Sequence, residues 1–428
     1  MKYALGNMLN GAGGLNPDGL SLDLQFATDK TLTARKGPTP VFTRSQVSPT
    51  GSTYVGSDGL IKYADADVAR FDHDPITLVC KGLLIEEQRQ NFILRSDDFS
   101  NSSWLKLASS VSNSPVSSPS GSTASRILMS SGSSQYPLYG TSYSSVLNRV
   151  VTATAYVRYA NARWLWIRGD DGLSSATCWA SFDIQNKIIG GSLAGITSHS
   201  IADVGSGWVR VSLTYTELAA SGSNRNLVFR VGNASTPTDL PTTQIGTESF
   251  DLWGAQLEAG AFATSYIPTT TTALIRVADV CSITGANFTG MYNASEGTML
   301  VNAFTPANGD RTVFAADDNT ANEMIRLRTE GTNPFFKVTD GGSDLVAIDS
   351  GTVIANTAFK LAGAYKVNDF ASVINGGTVG TDVAGTIPTV DRMRIGAGQA
   401  GNTMCGCILS LRYYKKRLSN AKLQSLTA

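Results

Sequence analysis

The chain has 428 residues, 42% hydrophobic and 16% charged, which is length for two or three packed domains and too apolar for wholesale disorder. Lys+Arg and Asp+Glu both number 34, a net charge of +0, so no basic excess marks a nucleic-acid surface or an anionic membrane. No apolar run approaches the roughly 20 residues of a membrane-spanning helix, which excludes membrane insertion by a helix.

Residues 1–69 read as an irregular arm. Met1-Lys-Tyr-Ala-Leu5 leads into Gly and Asn without the apolar core of a signal peptide. Turn chemistry at Asn10-Gly-Ala-Gly-Gly14 and Asn16-Pro-Asp-Gly19 precedes Leu20-Ser-Leu-Asp-Leu-Gln-Phe26, whose alternation predicts a half-buried strand. Residues 39–44 and 59–63 predict two more. Three short strands bury too little to stand alone, so the arm is expected to pack on a neighbour.

The junction follows: Arg70-Phe-Asp-His-Asp-Pro75, then Gly82-Leu-Leu-Ile-Glu-Glu-Gln-Arg-Gln-Asn91, then Ser96-Asp-Asp-Phe-Ser-Asn-Ser-Ser-Trp104. It resembles a junction found in bacteriophage virion proteins, the tail fibres, head fibres and other surface appendages. The resemblance implies a docking arm over 1–90, a carbohydrate-binding jelly roll, and a laminin-G-like (concanavalin-A-like) module. It implies a virion-surface protein made in the host cytoplasm, contacting other virion proteins through residues 1–90 and a host-surface glycan. Fibres of this kind are usually trimers, so a homo-oligomer is expected, although no heptad region enforces one.

Residues 91–270 predict a β-sandwich. Ser109 to Gly121 is Ser-, Gly- and Pro-rich and reads as a long loop. Alternating strands follow at 151–159, 163–168, 178–183, 207–215, 227–231 and 249–257. The close of this block, Asp251 to Thr269, resembles the last strand of carbohydrate-binding jelly rolls in the same phage proteins. After a Thr-rich linker, residues 275–428 predict a second sandwich. Asn375-Gly-Gly377 reads as a hairpin turn, and Ser419 as the N-cap of a short final helix with Leu423 and Leu426 on one face. The last strand and helix resemble the laminin-G-like signature. The fold class is therefore all-β, an arm and two sandwiches.

Chemistry is sparse. The five cysteines (Cys80, Cys178, Cys281, Cys405 and Cys407) are scattered and odd in number, and read as buried free thiols. Of two histidines, His73 reads as part of a structural turn and His199 as an exposed loop tip. Glu86 and Glu87 point to opposite faces of an extended chain and cannot flank one glycosidic bond. The expectation is a non-enzyme; the alternatives are a purely structural cement or spacer subunit and, behind it, a glycan depolymerase. Sugar-binding candidates are Trp164, Trp166, Trp179 and Tyr215; Trp208 belongs to the same aromatic set, and Trp253 is expected in the core. Trp164 and Trp166 share one strand face, Leu165 and Ile167 the other. One face is core; the other is a domain or subunit contact, or a sugar platform. Related jelly rolls hold a structural calcium, which here would use Asp97, Asp98 and Asp251. The competing reading is that these residues cap turns.

Overall fold

The computed structural model describes residues 18–45, 51–133, 137–140, 142–170, 178–218, 220, 222–232, 235–237, 243–399 and 401–428. The expected turns at Asn10 to Gly14 and at Asn16 and Pro17 lie outside them. Strand makes up 49% and helix 5%, and the class is all-β. Among the described residues no helix is long and apolar enough to cross a membrane. The chain forms two compact units, Thr43–Asp279 and a second that joins Val280–Ala428 to the residues up to Phe42.

That division differs from the expected arm over 1–90. Leu20–Leu24 pairs antiparallel with Gly406–Tyr414, so it is a strand of the C-terminal unit. The hairpins Thr53–Val55 with Ile61–Tyr63, and Arg70–His73 with Cys80–Ile85, belong to the other unit. Short strands do pack on a neighbour, and here the neighbours lie within the same chain.

In the Thr43–Asp279 unit, a six-stranded sheet runs Ile196–Gly205, Trp208–Thr216, Val150–Tyr159, Ser249–Ala259, Thr123–Met129, Ser109–Ser117. A five-stranded sheet runs Leu138–Tyr139, Val228–Gly232, Trp164–Arg168, Trp179–Asp183, Ile188–Ser192. Leu165, Ile167, Phe229, Val231, Ala180 and Phe182 from the second meet Val151, Val157, Val211, Leu252 and Leu257 from the first in one core. Phe99 and Trp104 of the junction are buried there too, with ring centroids 4.6 Å apart. Ser109–Ser117 is a strand, not a loop. It has few apolar side chains, but Thr123–Met129 supplies its backbone partners, and Pro115 sits where the register breaks. His199 likewise lies in the edge strand Ile196–Gly205, where its Nε2 meets Gly190 O at 2.9 Å.

The same unit is closed by a buried ionic network. Arg44, Arg70 and Arg276 face Glu86 and Asp279, all within 5% exposure. Arg44 Nη1 donates to Asp279 Oδ1 (3.0 Å) and Arg70 Nη2 to Asp279 Oδ2 (2.5 Å). Glu86 accepts from Ser265 N and Oγ, each at 2.7 Å, and pairs with Arg70 and Arg276 at 2.8 and 3.1 Å. Burial opposes the charge on Glu86, yet the Arg276 and Arg70 guanidiniums outweigh it and hold the carboxyl down at about 2.

In the C-terminal unit one sheet runs Gly380–Asp382, Phe370–Ile374, Phe359–Lys366, Glu296–Phe304, Gly406–Tyr414. The other runs Val280–Thr284, Arg392–Ile395, Arg311–Asp317, Met324–Glu330, Asn333–Asp340, Ser343–Asp349. They pack tightly at Gly363, where a Cβ would lie 2.2 Å from Phe336. Asn375 and Gly376 both take positive φ in the expected hairpin turn. Ser419 Oγ accepts from Lys422 N at the start of Asn420–Thr427, and Leu423 and Leu426 pack on one cluster. The five cysteines are buried and free of disulfides.

Candidate functional site

Alternation along the five-stranded sheet sends one set of side chains to the core and another to the outer face. Register places the outer set in rows. Tyr139, Val228, Arg168 and Trp179 form one, Arg230, Trp166 and Ser181 the next, and Gly232, Trp164, Asp183 and Ile188 the last. The Trp164/Trp166 face is thus the outer one, and Leu165 and Ile167 line the core.

The four aromatic candidates separate. Trp166 and Trp179 are each 1% exposed, packed edge to face with centroids 6.4 Å apart. The Arg230 guanidinium lies over both rings, at 5.4 and 5.8 Å, and burial pushes Arg230 down to about 10. Trp166 crosses the backbone at Gly232, where a Cβ would meet its Nε1 at 2.0 Å. Tyr215, 0% exposed, is on the other sheet and bonds Tyr143 hydroxyl to hydroxyl at 2.9 Å in the core. These three rings are structural here, since none presents a face to a ligand. Trp208 and Trp253 are buried in a separate cluster with Tyr156 and Tyr266.

Trp164 differs. It is half-buried at the end of its strand, directly across from Asp183, with Ile188 exposed beyond in the same row. Arg163 is 53% exposed, and its guanidinium lies 5.2 Å from the Trp164 ring centroid. Asp183 fixes it: Arg163 Nε and Nη2 both approach Asp183 Oδ2 at 2.8 Å. Asn186 donates to the same carboxylate from its backbone N (3.0 Å) and Nδ2 (2.8 Å). Burial opposes the charge on Asp183, but the Asn186 amides and Arg163 outweigh it and hold the carboxyl below its ordinary range. The result is a half-buried indole packed on the Trp166 and Trp179 cluster, with the Arg163 guanidinium over its ring and oriented polar groups beside it. Trp164 was legible as a candidate; Arg163 and Asp183 were not, because strand pairing rather than chain order joins them.

The calcium candidates are not brought together. Asp251, 0% exposed, takes Arg126 Nε at 2.5 Å and Arg158 Nη1 at 3.1 Å, so its oxygens are occupied by cations. Asp98 accepts from Ser100 Oγ at 2.7 Å in a turn, and burial raises the Asp97 carboxyl. Among the described residues no group of three or more His, Cys, Asp or Glu is placed to hold a metal ion.

No protein-family model matches the chain, and no curated protein does. Among solved structures, the chain is similar to the Ruminococcus gnavus IT-sialidase CBM40 bound to α2,3-sialyllactose. That match has 16% identity over 33% of this chain and 88% of the other, with a TM-score of 0.30. It is also similar to a heptameric SAP-like pentraxin from Limulus polyphemus, at 12% identity, 32% and 70% coverage and TM-score 0.28. A third is mouse laminin α1 chain domains LG4-5, at 10% identity, 77% and 91% coverage and TM-score 0.24. At such scores none of these proteins' ligands carries over.

Proposed function

We propose that the chain is a non-enzymatic virion-surface protein, of tail fibre, head fibre or decoration type, that contacts a host-surface glycan. The observation that carries the glycan reading is Trp164, half-exposed beside Arg163, Asp183 and Asn186 on the outer face of a sheet. Sugar rings offer an apolar face to an indole and hydroxyls to fixed polar groups, and small sites of this build combine the two. The virion reading is supported by the junction at residues 70–104. The non-enzymatic reading is supported by the state of the carboxylates: Glu86, Asp183 and Asp251 each hold one or two guanidiniums, which leaves none of them a free acid or base.

A second reading, a spacer or cement subunit, is favoured by the burial of Trp166, Trp179 and Tyr215 within the fold. A panel of bacterial surface polysaccharides, probed with the purified chain while released sugars are assayed, separates the readings. Binding without release supports the adhesin. Released oligosaccharides point to a depolymerase, and no binding at all leaves the spacer.

A further inference from the structure

We infer that the sugar taken at Trp164 carries a carboxylate, and that Arg163 is the residue that selects it. This rests on the glycan reading of the Trp164 face and adds the charge of its ligand.

Arg163 stands apart from the other arginines near this sheet. Arg230 is fully buried between two indoles, and Arg168 and Arg225 share Asp170 at 3.4 Å each. Arg163 keeps 53% of its side chain in solvent, at the one outer-face indole that solvent also reaches. A guanidinium has five N–H groups in a planar fork. Nε and Nη2 of Arg163 both turn to Asp183 Oδ2, and Nη1 has no partner among the described residues. The fork is therefore gripped on one edge and open on the other.

The grip is firm. Asp183 is 2% exposed at its side chain, receives two further bonds from Asn186, and stays ionised because its carboxyl is held low. An ionised carboxylate beneath the sheet surface thus orients a cation above it, and Trp164 lies under that cation. Pre-orientation of this kind lowers the entropy lost when a ligand binds. Lys187, in the turn before Ile188, pairs with Asp203 at 2.5 Å. Asp183 is 2% exposed at its side chain, so between the two partners of this pair it is Arg163 that a ligand on Trp164 meets.

A neutral sugar would touch only the part of the indole that the guanidinium leaves uncovered, and would leave the open edge of the fork in water. A pyranose with a ring carboxylate satisfies both, through an N–H···O bond between two charged groups, the stronger kind. Hexuronates and nonulosonates share this chemistry, and the two are told apart by testing a polymer of each.

The experiment titrates the full chain with a polyuronate, a polysialate and the carboxyl-reduced, neutral form of each, by calorimetry. The expected result is binding of at least one acidic polymer, weakened at least tenfold on reduction. Arg163→Gln should bind the acidic polymer as weakly as wild type binds the reduced one, and Arg163→Lys should recover part of the loss. Arg163→Gln takes the cation from the buried Asp183 carboxylate and should lower the melting temperature. The titrations are therefore run where its melting curve shows it folded, and Arg163→Lys, which keeps the charge, separates selection from folding. Equal binding of acidic and reduced polymers, unchanged in Arg163→Gln, overturns the selection by charge and leaves the glycan reading standing. Binding of the acidic polymer weakened at least tenfold in a folded Trp164→Ala chain supports the placement at this ring, and undiminished binding there overturns it. If neither acidic nor neutral polymer binds wild type, the glycan reading itself falls.

Discussion

Arg70 and Asp279 meet across 209 positions of chain, Arg70 Nη2 donating to Asp279 Oδ2 at 2.5 Å with both side chains fully buried. Asp279 is the last residue of its unit and Arg70 opens a hairpin near the other end, so this pair fastens residues 43–90 to the sandwich. Asp279 also takes Arg44, and accepts from Glu86 N at 2.9 Å. Three guanidiniums share two carboxylates. Removing one acid leaves buried cations uncompensated, which costs far more than an exposed pair contributes.

Asp279→Ala is therefore expected to destabilise the Thr43–Asp279 unit by about 3–5 kcal/mol. Urea unfolding followed by tryptophan fluorescence reads this directly, because the unit holds Trp104, Trp166, Trp179, Trp208 and Trp253 in buried positions. A change within half a kilocalorie, of order the value for a surface pair, would show the network contributes nothing.

The same network sets an acid limit. Glu86 is held at about 2, below its ordinary 4.5, so its contribution is complete above the ordinary value and is lost as pH falls toward 2. The stability tied to this group is on the order of 3 kcal/mol. Wild type should lose stability between pH 4.5 and 2. Glu86→Gln should be less stable at neutral pH and flatter across that window, measured by urea midpoints at each pH.

Close approaches predict two glycine effects. Gly363→Ala places a Cβ 2.2 Å from Phe336, between the sheets of the C-terminal unit, and should cost about 1–3 kcal/mol. Gly232→Ala meets the Trp166 indole and should shift that ring, seen as a change in near-UV circular dichroism. A silent Gly232→Ala spectrum would contradict the placement of Trp166.

Asp251 leads to a prediction about metals. Its carboxylate is held by Arg126 and Arg158, so Asp251→Asn should lower the melting temperature, and EDTA should leave the wild-type melting curve unchanged. A drop with EDTA, restored by calcium, would contradict this account of Asp251.

Local sequence carried the features set by local physics. The two faces of residues 163–168 followed from alternation, and the Asn375–Gly376 turn and the Ser419 cap followed from side chains acting within four residues. Features set by distant partners were not legible. Ser109–Ser117 looks like a loop because its strand character comes from Thr123–Met129, and Leu20–Leu24 looked like an arm because its partner lies at Gly406–Tyr414. The site shows the same split. Trp164 could be picked from its strand, but its exposure, and the burial of Trp166 two residues on, depend on what covers each ring. Arg163 and Asp183, 20 positions apart, become a pair only once the strands are in register.

The most direct test of the account is a matched pair of titrations, wild type and Trp164→Ala, against a polysaccharide that wild type binds. The account predicts binding without release of sugars, lost by at least tenfold in Trp164→Ala at a temperature where its melting curve shows the variant folded. Trp166→Ala, for contrast, should destabilise the unit by about 3–5 kcal/mol. Undiminished binding by a folded Trp164→Ala chain would place the glycan contact elsewhere on the molecule and contradict the site described.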